Sequence, residues 1–302
     1  MAEVRRLRPA TTVSWADAVD RFLTERDLAS NSVRAYRITL ARVGTHLPAG
    51  DLADLQPNQV ASALRAAYPA AAPTSWNRHL ATVRSLLAYT TRQGWTRPDL
   101  AATVERRREP ADHNRALSRA DIDRLLTRKD IPVRDRCLWR MLYETAARAE
   151  EILRLNVEDL DLARKRAVVR RKGGAIDTVH WQTGTARLLP YLIRGRTHGP
   201  VFLSSRSPAA GRVPATRDLD PDTGLARLSY RRAAEVFTAE TGATLHQLRH
   251  SALTHLAEDG VPLPLLMAKS RHQSLRTLQR YVHPSEEAVA TLTAEHDPAR
   301  RR

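Results

Sequence analysis

A polar, basic stretch interrupted by Pro110, RRREPADHNRA at 106–116, divides this 302-residue chain into two runs in which apolar residues recur at helical spacing. Such a segment has no core-facing side of its own. The runs on either side must therefore each close a core, and the chain is long enough for two units of ordinary size. Before the break, SWADAVDRFL opens with Ser14 as a helix N-cap and Asp17 in its first turn, and places Trp15, Ala18, Val19 and Phe22 on one face. SVRAYRITLARV repeats the pattern with Val33, Tyr36, Leu40 and Val43. NQVASALRAAY predicts a third helix, and SWNRHLATVRSLLAYTTRQG a fourth, with Leu80, Val83 and Leu87 inward and Gly94 as its stop.

After the break, Ser118 caps a helix with Asp121 at its third position, and RDRCLWRMLYET carries a buried stripe of Leu138, Met141 and Leu142. Two β-rich runs flank a Gly-Gly turn in KRAVVRRKGGAIDTVHW, which predicts a hairpin. Residues 204–224 read as a turn-rich surface loop. The expected fold is mainly α with a small β-sheet: a helical domain over 13–105, a linker over 106–116, and a mixed α/β domain with a C-terminal tail over 117–302.

Lys and Arg number 49 against 33 Asp and Glu, a formal charge of +16. A chain this basic is suited to a polyanion, with DNA the commonest candidate. One cysteine, Cys137, excludes an internal disulfide framework, fits a reducing cytoplasm and reads as a core residue. The N-terminus MAEVRRLRPATT lacks an apolar signal core, and no apolar stretch approaches membrane-spanning length, so the expected location is cytoplasmic.

Against this background six dispersed side chains form an inventory: Arg148, Lys172, His246, Arg249, His272 and Tyr281. Nucleophilic attack on a phosphodiester places extra negative charge on the non-bridging oxygens. Arginine suits that charge because its planar fork donates two hydrogen bonds and stays protonated. His246 and Arg249, three residues apart, share one side of a helix whose start Thr244 and Gln247 mark as a capping box. On that helix Leu245, Leu248, Ala252 and Leu256 form the core stripe, with Arg249 half-buried at its edge. Lys172, near the hairpin tip, can protonate a departing oxygen. Tyr281 supplies a phenol whose pKa near ~10 neighbouring cations would lower.

Residues TAARAEEILRLNVEDLDL (145–162) resemble the first signature box of the tyrosine recombinases, the phage integrase family. LHQLRHSALTHLAEDG (245–260) and SRHQSLRTLQRYVHP (270–284) resemble the second box and its nucleophile-bearing end. The strong resemblance covers roughly 117–284, and a weaker one, to a SAM-like core-binding domain, covers 13–105. It implies a site-specific DNA recombinase that cleaves and rejoins strands through a 3′-phosphotyrosine. Arg148, Lys172, His246, Arg249, His272 and Tyr281 would be the catalytic set, with no cofactor and no metal. Arg34, Arg37, Arg42, Arg78, Arg84 and Arg271 are the candidate DNA contacts.

The implied partners are double-stranded recombination sites and a tetramer assembled on DNA, of this chain alone or of this chain with a second recombinase. The tail PSEEAVATLTAEH, with Val289 and Leu292, is expected to pack into a neighbouring protomer. Because the chain starts almost directly in the core-binding domain, the resemblance favours a two-domain, Xer-like or mobile-element recombinase. Two departures stand out, Ala146 and Arg271 at positions usually Gly in the family, and the first is expected to alter the turn presenting Arg148. Glu151 is expected to orient or neutralise an arginine, and His250 and His255 to be structural.

A type IB topoisomerase-like enzyme and a non-catalytic DNA-binding protein remain alternatives. Asp218, Asp220 and Asp222 suggest a calcium loop, but its sixth and twelfth positions are Thr223 and Ser229 rather than Gly and Glu, so no metal site is assigned.

Overall fold

Ser14 starts the first helix as its sequence implies. Its hydroxyl accepts from the Asp17 amide at 3.1 Å while the Asp17 carboxylate returns to the Ser14 amide, a reciprocal cap. The structure is a computed structural model that describes residues 12–109, 116–171, 174–205, 214–272, 274, 278, 293 and 294. The chain separates into two compact units, 1–112 and 113–302.

In the first unit four helices, α1 (Trp15–Glu25), α2 (Ser30–Gly44), α3 (Pro57–Ala67) and α4 (Pro73–Arg92), close over one core. Phe22 stacks on Tyr36 and meets the edge of Tyr89. Gly94 follows α4 with φ +73°, the left-handed conformation in which glycine ends a helix without strain. Residues 106–109, expected in the linker, are tied to this unit. The Arg107 guanidinium lies 4.0 Å from the Trp76 ring centroid and donates to the Ala71 carbonyl at 2.6 Å, and Asn77 donates to Glu109 at 2.8 Å.

The second unit holds α5 (Arg119–Thr127), α6 (Val133–Thr145), α7 (Ala149–Leu153), β1 (Leu160–Asp161), β2 (Arg166–Arg170), β3 (Ile176–His180), α8 (Thr183–Ile193), α9 (Tyr230–Thr241), α10 (Leu245–Glu258) and α11 (Leu263–Ser270). The strands form one antiparallel sheet in the order β1-β2-β3, with Ala167 opposite Val179 on its buried face.

Helix α6 is central, packing against α5, α7, α8, α10 and β3. From Cys137 to Thr145 it buries residues on every side, as a helix enclosed by neighbours must. Burial pushes the Cys137 thiol up to about 12, so it is an inert core group. Buried Glu144 accepts from the amides of Gln182 at 2.8 Å and Thr185 at 3.2 Å, placing a negative charge at the N-terminus of α8. None of the described helices is long and apolar enough to cross a membrane.

Candidate phosphoryl-transfer site

Helix α6 ends at Ala146, whose φ of +51° and ψ of +27° are left-handed. The chain then turns through Arg148, the N-cap of α7, into a short helix whose third residue is Glu151. Helix α11 also ends on a left-handed residue, Arg271 at φ +57°, directly before His272. Both departures from glycine thus fall where glycine is conformationally free and other residues are strained. At Ala146 the turn has nonetheless kept the left-handed conformation open to glycine. The strain of roughly 1–2 kcal/mol is offset by a buried methyl worth about 0.8 kcal/mol and by the smaller unfolded-state entropy of Ala relative to Gly. Ala146→Gly is therefore expected to shift stability by less than about 1 kcal/mol. Ala146→Val, β-branched in a left-handed turn, is expected to lower the melting temperature clearly.

Arg249 joins the two turns. Its side chain, only 2% exposed, leaves α10 and donates to the Ala146 carbonyl through Nη1 and to the Ser270 carbonyl through Nη2 at 2.7 Å. The sequence places this guanidinium at the edge of the core stripe, half-buried. In the structure it is fully buried, because two carbonyls from strained turns converge on it and satisfy its protons. Nη2 also reaches His272 Nε2 at 3.3 Å, and His272 Nδ1 lies 2.7 Å from the Ser270 hydroxyl. With Arg249 donating to Nε2, the ring proton sits on Nδ1 and goes to Ser270 Oγ, which donates in turn to the Met267 carbonyl at 3.3 Å. Ser270 was not among the expected site residues. Its only sequence signal is its position two residues before His272.

Burial first, then the charges of Arg249, Arg148, His246 and Arg271, push the His272 pKa down to about 4. The imidazole is thus neutral at pH 7 in a site crowded with cations. A histidine near 6.5 when unfolded and about 4 when folded binds more protons in the unfolded state between those values. Its contribution to stability is therefore complete above about 6.5 and declines as pH falls toward 4. His272→Gln should flatten the fall in melting temperature across that window relative to wild type.

Glu151, 5% exposed, accepts from Arg148 Nη1 at 3.0 Å and from Arg271 Nη2 at 2.8 Å. Burial raises its carboxyl pKa, but the Arg271 charge and the Arg148 hydrogen bonds outweigh that and hold it below the ordinary value. Arg271, a candidate DNA contact, packs its guanidinium against Glu151 with its side chain 7% exposed. Arg148 remains half-exposed. His246 stands exposed in the first turn of α10, close enough for its charge to act on His272. His255 is buried with Nδ1 2.8 Å from the Tyr143 hydroxyl, and His250 pairs with Thr254 at 3.2 Å, both structural contacts.

Lys172 and Tyr281 lie outside the described residues, as do Val289 and Leu292 of the tail. Two cations near Lys172 in sequence have neighbours of their own, Arg171 on Asp177 at 2.6 Å and Lys165 on Thr183 at 3.1 Å. Asp218 and Asp220 are engaged by Arg227 at 2.8 Å and Arg196 at 3.0 Å. Among the described residues no group of three or more His, Cys, Asp or Glu is placed to hold a metal ion.

In the first unit Arg42 lies over the Tyr68 ring at 4.8 Å, and Tyr68 stacks on His79 at 3.7 Å. Burial, then Arg78 and Arg42, lower the His79 pKa, so α2 and α4 concentrate positive charge around that histidine. Arg34 is exposed and Arg37 pairs with Asp20 at 2.6 Å. Arg84 donates to the Val104 carbonyl at 2.8 Å, which fastens the segment after α4.

Residues 115–288 match the Phage integrase family, and residues 17–94 match the phage integrase N-terminal SAM-like domain. The tyrosine recombinase XerC of Mycobacterium sp. (strain JLS) is 31% identical over 96% of this chain and 99% of its own length. The tyrosine recombinase XerD of Mycobacterium leprae (strain TN) is 29% identical over 93% and 95%. Among solved structures, a lambda integrase tetramer bound to a Holliday junction aligns with 91% of this chain and 78% of its own. Its TM-score is 0.70 at 15% identity, a likeness of fold.

Proposed function

This chain belongs to the phage integrase family of tyrosine-type site-specific DNA recombinases, and on that premise we propose that it cleaves and rejoins duplex DNA through Tyr281. The observation that carries the assignment of roles is the joining of Arg148, Arg249 and His272 at two adjacent turns around a half-exposed guanidinium. Arg148 and Arg249 stabilise the charge that develops on the non-bridging oxygens. The phenolate oxygen of Tyr281 attacks phosphorus, and the bond to the 5′ oxygen breaks. That oxygen takes a proton from Lys172 and leaves as a 5′ hydroxyl. The 3′-phosphotyrosine retains one phosphoester bond for the one broken, so attack by a second strand's 5′ hydroxyl reseals DNA without ATP.

His272 hydrogen-bonds the phosphate, with His246 beside it. The partner is double-stranded DNA, held in the first unit by Arg34, Arg37, Arg42 and Arg78, where the charge around His79 supports the reading. Assembly is a tetramer on two sites, of this chain alone or with a second recombinase, and the tail beyond 284 joins neighbouring protomers. The buried cysteine suits the cytoplasm.

The test uses fragmented DNA of the source genome, nicked to trap the cleaved state. After incubation and denaturation in SDS, the DNA that remains covalently attached is sequenced and the adducted peptide is identified by mass spectrometry. Adducts at a few inverted-repeat sites, on the peptide containing Tyr281, are expected. Scattered adducts would indicate a topoisomerase, and salt-sensitive binding without adducts a non-catalytic DNA-binding protein.

A further inference from the structure

We propose that Arg271 is a positioning residue which, by sharing Glu151, keeps the positive charge of Arg148 available to a phosphodiester. The inference rests on the reading of Arg148 as a phosphate ligand given above. Glu151 Oε2 accepts from Arg271 Nη2 at 2.8 Å and from the Arg148 amide at 3.2 Å, and Oε1 accepts from Arg148 Nη1 at 3.0 Å. One carboxylate thus serves two guanidiniums, and the trio carries a net charge of +1. Without Arg271 the same carboxylate would face Arg148 alone, and the pair would be neutral where the phosphate arrives.

The arrangement is unfavourable for stability on three counts. The ion pair is buried on both sides, with side chains 7% and 5% exposed, and a buried pair is seldom better than apolar packing. Arg271 occupies a left-handed position that suits glycine. Its Nε is buried without a hydrogen-bond partner. A residue so placed is explained by the charge it sets. With its side chain 7% exposed and its guanidinium on Glu151, Arg271 acts through that carboxylate. Because it precedes His272, the same pair ties the turn carrying His272 to the turn carrying Arg148, which Arg249 bridges from the other side.

Three variants test this: Arg271→Gly, Arg271→Lys, and Arg271→Gly combined with Glu151→Gln, which removes the unshared negative charge. In single-turnover adduct formation on the nicked genomic fragments, Arg271→Gly should be slower by roughly tenfold, less than the loss of a direct donor. Arg271→Lys should retain most of the rate, and the double variant should recover most of it. A wild-type rate in Arg271→Gly, or a double variant no faster than Arg271→Gly, would overturn the proposal and leave the pair a purely structural tie.

A second readout needs no chemistry. It is the rise in melting temperature caused by inorganic phosphate over chloride at matched ionic strength, counting only the part that Arg148→Ala removes. Arg271→Gly should lose that increment and the double variant regain it, whereas equal increments in all variants would sink the idea. Were wild type to form no adduct at all, the recombinase mechanism would fail, and the phosphate increment would still decide the role of Arg271.

Discussion

Tyr281→Phe is expected to abolish covalent attachment to DNA while leaving DNA binding intact. The substitution removes one oxygen and keeps the ring, so it deletes the proposed nucleophile without changing the charge that attracts the duplex. No other group is proposed to form the covalent intermediate. The loss should therefore match the removal of a covalent nucleophile in other enzymes, on the order of 10⁶ in rate. The measurement is single-turnover cleavage of the mapped sites, quenched in SDS, alongside a binding titration at several salt concentrations. Salt slopes should coincide for the two proteins, because the phosphate contacts that release counterions are unchanged. Adducts that persist at the wild-type sites in the variant would assign the nucleophile to another residue.

Arg249→Ala should lower both rate and stability, and the two losses have separate causes. Removal of one preorganised donor to a developing oxyanion costs on the order of 10²–10³ in rate. In the folded protein the same guanidinium satisfies the buried carbonyls of Ala146 and Ser270, which lie 124 positions apart in sequence and would be left without a charged donor. A cavity forms as well, so a destabilisation of about 3–5 kcal/mol is expected. A domain with the usual reserve of about 5–15 kcal/mol remains folded. Cleavage is therefore measured well below the melting temperature, with denaturant unfolding reporting the second loss. Arg249→Lys keeps the charge but cannot span two carbonyls and an imidazole, and should recover only part of either loss. A variant as stable as wild type would show that the two turns hold each other without this side chain.

Much of the fold is legible along the chain because helix periodicity and capping are local. Ser14, Ser118 and Thr244 each mark a helix start within a residue, and Gly94 follows the end of α4, since the amides and carbonyls they serve lie within one turn. The hairpin of β2 and β3 is likewise set by alternation on either side of a turn. Two segments make contacts that local reasoning does not reach. Residues 106–109 look like a free basic linker, yet Arg107 and Glu109 find Trp76 and Asn77 on α4. Arg271 looks like an added surface cation, yet it meets a carboxylate 120 positions earlier.

By itself the sequence determined which residue types are available for phosphoryl transfer, which helix carries His246 and Arg249 and which one Arg148 follows, and that two turns carry Ala146 and Arg271 rather than glycine. Only the tertiary structure decided that Arg249 is buried and carbonyl-bound, that His272 is neutral and held by Ser270, and that Glu151 is shared. Burial and charge sharing depend on which distant segments meet. A guanidinium's partners are chosen by distance in space, and residues three apart on a helix say nothing about the carbonyls that close over them.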